Sequence, residues 1–399
     1  MAKAQRDLTM EEQLARGPMD LPFLMLTLML LAIGLITVFS ASYASAYYDP
    51  KVSTPYYYFI RQLIFGVAGV AVLYVVSKIN YQTWRWLSVF VLIAAFLLLL
   101  LVLVIGEEIN EAKRWIRLGP ITIQPSEIAK LGVILFFSAR LSKRGTQKKK
   151  KWSRRSVVGR FLGFLDRIGL LELIPYALIL LGIAVLMILE PHMSGTILIL
   201  VAGAAILFAA GVKMFWFIGG GALVGGALWY IINNTEYMTR RIEIWQNPWL
   251  DELGSGFQSI QSLLAIGSGG LLGKGLGNST QKHMFLPEPE NDFVFSILCE
   301  EMGFIGAALV LVLFALLILR GYWLAVHARD RFGALLIVGI ITLFAFQVFF
   351  NIGVVTGLLP VTGISLPFFS YGGTALMIQL AEMGIVLSVS RQIPAAKQG

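Results

Sequence analysis

The sequence predicts an all-α polytopic membrane protein with ten transmembrane helices, cytoplasmic termini and a large extracytoplasmic loop between helices 7 and 8. Of its 399 residues, 57% are hydrophobic and 14% are charged, and the mean hydropathy is +0.77. Soluble domains are usually about 45–50% apolar and about 25% charged. This composition excludes a soluble enzyme and a disordered chain. The single Cys299 excludes an internal disulfide framework, and the three histidines match no zinc-site spacing.

Ten segments are apolar over enough residues to cross the hydrocarbon layer, which takes about 20 residues of helix. They are residues 21–42, 57–76, 83–105, 125–141, 169–189, 194–211, 212–232, 293–319, 332–355 and 365–390. The fourth is short and carries Glu127 and Lys130, and a tight turn near Gly211 separates the sixth from the seventh. We interpret residues 21–390 as one membrane domain with tails at 1–20 and 391–399.

The distribution of the net charge of +9 orients the bundle. Residues 140–168 contain eleven Lys and Arg, the excess that is typical of cytoplasmic loops. Four spans precede this loop, so the N-terminus is predicted inside, and counting onward places the C-terminus inside as well. Residues 43–56, 106–124, 233–292 and 356–364 then lie outside. We interpret the basic loop as a topology determinant and a contact for anionic lipids, not as a nucleic-acid site.

The outer segment 233–292 is the main candidate for function, because long connections without apolar periodicity are uncommon and usually functional. Its aromatic residues and glycines fit a segment that lies in the membrane interface. The glycine run at 267–275 is not a phosphate-binding loop, since Ser268 and Gly275 stand where that motif needs Gly and Ser or Thr. We interpret the run as close backbone packing or a flexible turn.

Asp292 directly precedes the eighth span, and two interpretations of it are open. An Asp at that place is a favoured N-cap, because the helix N-terminus stabilises its negative charge. An ionised carboxylate at the edge of the hydrocarbon layer can also serve as a general base. The two are compatible, since a cap fixes the position of the side chain and keeps it charged.

Further carboxylates surround Asp292 in the sequence. Glu288, Glu290 and Asp292 alternate within five residues, and they form either a site for a divalent cation such as Mg²⁺ or Mn²⁺ or a solvated acidic turn stiffened by two prolines. Glu300 and Glu301 lie inside the eighth span, where charged groups normally face a cavity or a partner.

Polar residues elsewhere indicate a cavity that opens outward. Glu127 and Lys130 share a helix face next to Ser126, and they form either an internal ion pair or the wall of a polar cavity. Between Asn351 and Ser370, prolines, glycines and hydroxyls occur at membrane depth. Irregular backbone is tolerated there only where protein or a water-filled cavity surrounds it.

Basic residues on the predicted outer face are the candidates for contact with a head group. Lys113 and Arg114 lie between the third and fourth spans, and Arg61 lies at the start of the second. They serve either as ordinary interfacial anchors or as a binding site for a phosphorylated lipid.

Several stretches resemble the SEDS family of peptidoglycan glycosyltransferases, which includes FtsW, RodA and SpoVE. The matching residues are 39–42, 113–116, 124–130, 190–196, 258–277, 286–293, 300–304 and 351–373. They cover most of the chain in order, and residues 277–282 resemble FtsW or SpoVE more than RodA. In one departure, Glu290 and Asn291 stand where many members have His-Thr before the aspartate.

The resemblance implies that the protein joins lipid II molecules on the outer leaflet, with Asp292 as the catalytic residue. A GlcNAc 4-hydroxyl attacks an anomeric carbon and displaces undecaprenyl pyrophosphate. This inversion needs one base and no covalent carboxylate intermediate. The departing pyrophosphate needs positive charge. The outer-face candidates, with the first two favoured, are Arg114, Arg61, Lys113, Arg240, Arg241 and Lys282.

The resemblance also implies a place in the bacterial plasma membrane and a role in cell division. It implies a class B penicillin-binding protein as the transpeptidase partner, together with other division proteins, and no organic cofactor. Two other functions remain open. A lipid II flippase needs a cavity that reaches both leaflets, and a non-catalytic division scaffold would not need Asp292.

Overall fold

The computed structural model describes residues 17–393 apart from 49, 51, 53, 110, 111, 120, 145–164, 166–168, 235, 255, 284 and 288. Most of the predicted basic loop and parts of both tails therefore lie outside the described residues. A helix occupies each of the ten predicted positions, and two shorter helices, α8 and α9, lie in the outer segment. In order the helices are α1 Leu21–Tyr48, α2 Tyr57–Lys78, α3 Tyr81–Ile105, α4 Pro125–Leu141, α5 Leu170–Leu189, α6 Met193–Ala209, α7 Met214–Asn234, α8 Glu236–Gln246, α9 Phe257–Gly269, α10 Val294–His327, α11 Arg331–Val355 and α12 Gly373–Ser390.

Among the described residues, seven helices are long and apolar enough to cross a membrane, namely α1, α2, α3, α5, α10, α11 and α12. Shorter apolar stretches, Met193–Ala209 and Met214–Gly226, lie in α6 and α7, and α4 has 17 residues. The chain is therefore a polytopic helical membrane protein.

Local sequence explains where several helices begin. The side chain of Asn80 caps α3 by accepting a hydrogen bond from the Gln82 amide at 3.0 Å, and Asp330 caps α11 through the Gly333 amide at 2.9 Å. These side chains satisfy amides that have no partner within the helix. Pro125 begins α4 because its fixed φ suits the first helical position.

The core of the bundle lies around α11 and α12. In these helices 72% and 67% of the apolar window is buried, against 28% in α2 and in α3. Helix α12 packs mainly on α2, and α11 packs on α10, α6 and α4. The C-terminal helices therefore form the inner layer, and the N-terminal ones expose more of their surface.

The helical fold class is confirmed, and a short three-stranded antiparallel sheet that was not predicted adds to it. Strands β1 Glu107–Ile109, β2 Ala112–Leu118 and β3 Ile121–Ile123 lie between α3 and α4 in the order β1-β2-β3. Gly119 has a φ of +63° between β2 and β3, a conformation that glycine adopts at little cost. The sequence of β2, AKRWIRL, has no regular alternation of apolar and polar residues, so no period-two signal for a strand was available.

The last predicted span was wrong at its start, because α12 begins at Gly373 and not at residue 365. Residues 356–372 form an irregular segment between α11 and α12. The hydroxyl of Ser370 accepts a hydrogen bond from the Leu366 amide at 2.7 Å. At Gly34 of α1, a Cβ would collide with the carbonyl oxygen of Phe368. Protein therefore surrounds this non-helical backbone at membrane depth.

The glycine run after α9 packs closely against α10, which confirms the packing interpretation. Helix α10 is broken at Gly303, where φ is +69°. The Lys274 amide donates to the Glu300 carbonyl at 3.0 Å, and the Phe304 amide donates to the Gly270 carbonyl at 2.9 Å. A Cβ at Gly303 would collide with the backbone nitrogen of Gly273. The two backbones therefore supply hydrogen-bond partners to each other at the break.

Candidate active site

A cavity of about 730 Å³ opens at the end of the bundle that carries the sheet. Side chains from α2, β2, α4, the start of α6 and the segment 356–372 line it, together with residues just before α10. Six of the lining side chains carry a formal charge: Arg61, Arg114, Arg117, Glu127, Lys130 and Asp292. Five of these were candidates from the sequence, and the fold brings them together from separate parts of the chain.

Asp292 lines the cavity, and the backbone around it is held in place. The side-chain amide of Asn351 donates to the carbonyl oxygen of Asp292 at 2.7 Å and to that of Ile364 at 2.8 Å. Asn351 is buried, so it acts through the backbone and does not line the cavity. A Cβ at Gly363 would lie 3.4 Å from Asp292 Oδ2, which places the carboxylate against that glycine.

The capping interpretation of Asp292 is wrong. Helix α10 begins at Val294, and its N-cap residue is Phe293, which makes no side-chain capping hydrogen bond. The Asp292 side chain thus precedes the helix by one further residue. This side chain lines the cavity wall.

Arg114 and Arg61 are the two predicted pyrophosphate-binding arginines that line the cavity. Arg114 Nε donates to the Glu190 carbonyl at 3.4 Å, and Arg114 Nη2 donates to the Pro191 carbonyl. Burial lowers the pKa of Arg114, and the charges of Glu190 and Asp292 oppose that shift. Arg61 Nη1 donates to the Tyr57 hydroxyl at 2.8 Å. Both guanidinium groups are held by neighbours within reach of a ligand in the cavity.

The ion pair predicted in α4 forms one wall of the same cavity. Lys130 Nζ lies 2.7 Å from Glu127 Oε1, and the Lys130 side chain is only 3% exposed. Both interpretations of this pair therefore hold together. Ser126 was also expected to line the cavity, but it is not among the described lining residues. It is buried, and no hydrogen-bond partner of its hydroxyl is found in the described part of the chain. Ser370 lines the cavity as expected.

Four of the predicted phosphate-binding residues lie away from the cavity wall that the described residues form. Lys113 is exposed on β2 and is not among the described residues that line the cavity. Arg240 and Arg241 are exposed on α8, with Arg240 3.9 Å from Asp251. Lys282 is buried and pairs with Glu301 at 2.9 Å. Positive charge on the predicted outer face was therefore not enough to identify a residue that lines the cavity.

The metal site at Glu288, Glu290 and Asp292 stays a prediction, because one of its three carboxylates lies outside the described residues. The carboxylate of Glu290 is buried and accepts a hydrogen bond from the Ser45 hydroxyl at 3.0 Å. Glu288 lies outside the described residues. Within the described ranges, no group of three or more His, Cys, Asp or Glu could hold a metal ion. We therefore derive no step of the reaction through a metal.

The cavity also contains residues that were not singled out from the sequence. Tyr58 and Tyr371 pack edge to face with their ring centroids 5.0 Å apart, and both line the cavity. Burial raises the pKa of Tyr371. His192 lines the wall at the start of α6, and burial lowers its pKa to about 3. His192 lies in the stretch 190–196, and the resemblance of that stretch to the family was the signal for this residue in the sequence.

The fold and the cavity define a polytopic membrane protein with a charged cavity at one end of its bundle. Residues 21–394 match the model of the FtsW/RodA/SpoVE cell cycle protein family. The chain is 41% identical over 377 residues to stage V sporulation protein E of Bacillus subtilis. The aligned residues cover 93% of this chain and 97% of that protein. It is 40% identical to a probable peptidoglycan glycosyltransferase FtsW of Geobacter metallireducens, over 94% of this chain and 95% of that one.

Among solved structures, the chain resembles a component of a peptidoglycan synthase complex that coordinates polymerization and crosslinking. The TM-score is 0.72 at 30% identity, and the match covers 94% of this chain and 99% of that one. The chain therefore belongs to the FtsW/RodA/SpoVE family.

Proposed function

We propose that this chain, a peptidoglycan glycosyltransferase of the FtsW/RodA/SpoVE family, polymerises lipid II with Asp292 as the general base. The observation that carries the proposal is the position of Asp292 in a cavity whose other charged walls are mainly cationic. A polymerase that releases a pyrophosphate needs both a proton acceptor and fixed positive charge.

In the proposed reaction, Asp292 takes the proton of the GlcNAc 4-hydroxyl of one substrate molecule. The oxygen then attacks the anomeric carbon of the other, and the bond to undecaprenyl pyrophosphate breaks with inversion. Arg114 and Arg61 stabilise the negative charge of the leaving group. Both line the same cavity as Asp292. A single displacement needs one base, and Glu127, the other carboxylate among the described lining residues, is paired with Lys130.

We further propose that the ten helices other than α8 and α9 cross the bacterial plasma membrane, with both termini in the cytoplasm. The excess of Lys and Arg at 140–168 supports this orientation. In this proposed orientation the cavity lies at the outer face, where lipid II would enter after translocation. The similarity to a member of a synthase complex supports a class B penicillin-binding protein as the partner, in cell division.

The test is the polymerisation of purified lipid II by Asp292→Asn. We expect loss of glycan synthesis by at least about 100-fold, because a general base typically contributes 10²–10⁴-fold, with unchanged thermal unfolding. Asp251→Asn is the matched control, since Asp251 lies in the same outer segment and outside the cavity wall. Glycan synthesis retained in Asp292→Asn would remove this role. Transport of labelled lipid II across liposomes without any polymerisation would favour the flippase instead.

A further inference from the structure

Glu190 is a buried carboxyl at the turn between α5 and α6 that the proposed reaction does not use. Its residue exposure is 1%, and neither carboxylate oxygen has a hydrogen-bond partner among the described residues. Glu190 is also the C-cap residue of α5, where the helix dipole disfavours negative charge. An ionised carboxylate in such surroundings is costly, so the position favours the protonated form.

The same turn holds Arg114. The guanidinium of Arg114 donates to the backbone carbonyls of Glu190 and Pro191, and the Glu190 carboxyl interacts electrostatically with it. Arg114 also lines the cavity and interacts electrostatically with Asp292. The arginine thus lies between a carboxyl buried behind the wall and the space that a substrate would occupy.

We propose that Glu190 is a positioning residue whose protonation state sets how much of the positive charge of Arg114 is available to the pyrophosphate of lipid II. This inference rests on the proposed function. When Glu190 is neutral, the guanidinium charge is free to attract the pyrophosphate. When Glu190 is ionised, its carboxylate compensates that charge and weakens substrate binding.

The direction of the pH dependence follows from the surroundings of the group. Burial raises the pKa of Glu190 to about 8, and the positive charge of Arg114 opposes the shift. Below pH 8 the carboxyl is neutral and substrate binding is strong, and above it binding weakens. The other charged groups near this turn are Asp292 before α10 and Lys130 on α4. His192, whose pKa is lowered to about 3, stays neutral in this range.

The experiment measures KM and kcat for lipid II between pH 6.5 and 9 with the full-length protein in detergent. If only the neutral form binds tightly, KM rises about tenfold between pH 7 and pH 9. The kcat value stays nearly constant, because bound pyrophosphate keeps Glu190 protonated. In Glu190→Gln, KM keeps its low-pH value throughout. Glu172→Gln is the matched control, since Glu172 lies at the other end of α5 and pairs with Arg144 at 2.8 Å.

A wild-type KM that is constant from pH 7 to pH 9 would overturn the proposal without any variant. So would a rise that persists in Glu190→Gln, because the titrating group would then lie elsewhere. If Glu190→Gln does not fold, Glu190→Ala takes its place. We expect the KM of Glu190→Ala to be equally independent of pH. In each of these outcomes the wild type still polymerises lipid II, whereas failure of the proposed function would appear as no polymerisation at any pH.

Discussion

Two clusters of charged residues lie at the same end of the bundle and differ in how their charges are satisfied. The cavity cluster consists of Arg61, Arg114, Glu127, Lys130 and Asp292, and the loop cluster consists of Lys274, Lys282, Glu300 and Glu301. Glu300 accepts hydrogen bonds from Lys274 Nζ at 2.6 Å, the Thr280 hydroxyl at 2.7 Å and the Gln281 amide at 3.2 Å. Arg114 instead binds backbone carbonyls and faces open space. Satisfied charges indicate a structural role, and charges that face a cavity indicate a ligand.

The largest effect is expected from the loop cluster, in Lys282→Met. This change leaves Glu301 without its ion pair, although Ser40 still donates to it at 2.7 Å. Removing one partner of a buried pair typically costs about 3–5 kcal/mol, and we expect a corresponding fall in the unfolding temperature in detergent. Activity should fall only in proportion to the folded fraction.

Arg240→Met is the matched control for Lys282→Met. The side chain of Arg240 is 73% exposed, so its replacement should change the free energy of unfolding by less than about 0.5 kcal/mol. If Lys282→Met unfolds like the wild type yet polymerises slowly, Lys282 belongs to the substrate site as the sequence suggested.

The second effect concerns the cavity cluster. Arg114→Ala should lower kcat/KM for lipid II by about 10²–10³-fold, the usual loss when one group that stabilises transition-state charge is removed. Its thermal unfolding should change little. Lys113→Ala is the control, because Lys113 is the preceding residue on β2, is exposed and does not line the cavity that the described residues form. Equal losses in the two variants would contradict the distinction between a lining and a non-lining residue of β2.

The sequence predicted the positions of the helices well, because apolar length and the turn residues between spans are local properties. It also identified Asp292, Glu127 and Lys130, since charges at membrane depth are rare. It could not separate Arg114 from Lys282. Both are basic residues on the predicted outer face, and only tertiary contacts place Glu301 beside Lys282 and open space beside Arg114.

The irregular elements were harder to predict for a related reason. The sheet at 107–123 is short, and hydrogen bonds between strands stabilise it more than any apolar periodicity does. The segment before α12 is held by contacts of Ile364 with Asn351 and of Phe368 with Gly34 of α1, which are distant in the sequence. In both places tertiary structure overrides the local hydropathy.

A third prediction tests the backbone contact between the glycine run at 267–275 and α10. In Gly303→Ala, a residue with a φ of +69° acquires a side chain that collides with Gly273. Forcing this conformation on a residue other than glycine costs about 1–3 kcal/mol, and the collision adds to it. Thermal unfolding in detergent measures the loss.

The control for Gly303→Ala is Gly220→Ala in α7, where no atom lies within 4 Å of the added Cβ. Alanine favours a helix more than glycine does, so this variant should unfold at the wild-type temperature or slightly above it. A Gly303→Ala variant as stable as Gly220→Ala would show that the break in α10 does not depend on glycine.

The smallest effect is expected where the two kinds of environment meet, at Arg117. This residue lines the cavity, yet its pair with Glu107 at 2.9 Å is exposed, with the two side chains 60% and 38% accessible. Exposed ion pairs contribute about 0–1 kcal/mol, so Glu107→Gln should barely change unfolding. It also frees the Arg117 charge, and the KM for lipid II therefore reports whether that charge reaches the substrate. An unchanged KM would group Arg117 with the solvent-exposed residues. A KM lowered by more than about twofold would add Arg117 to the cavity cluster. For scale, a tenfold change in KM would correspond to about 1.4 kcal/mol.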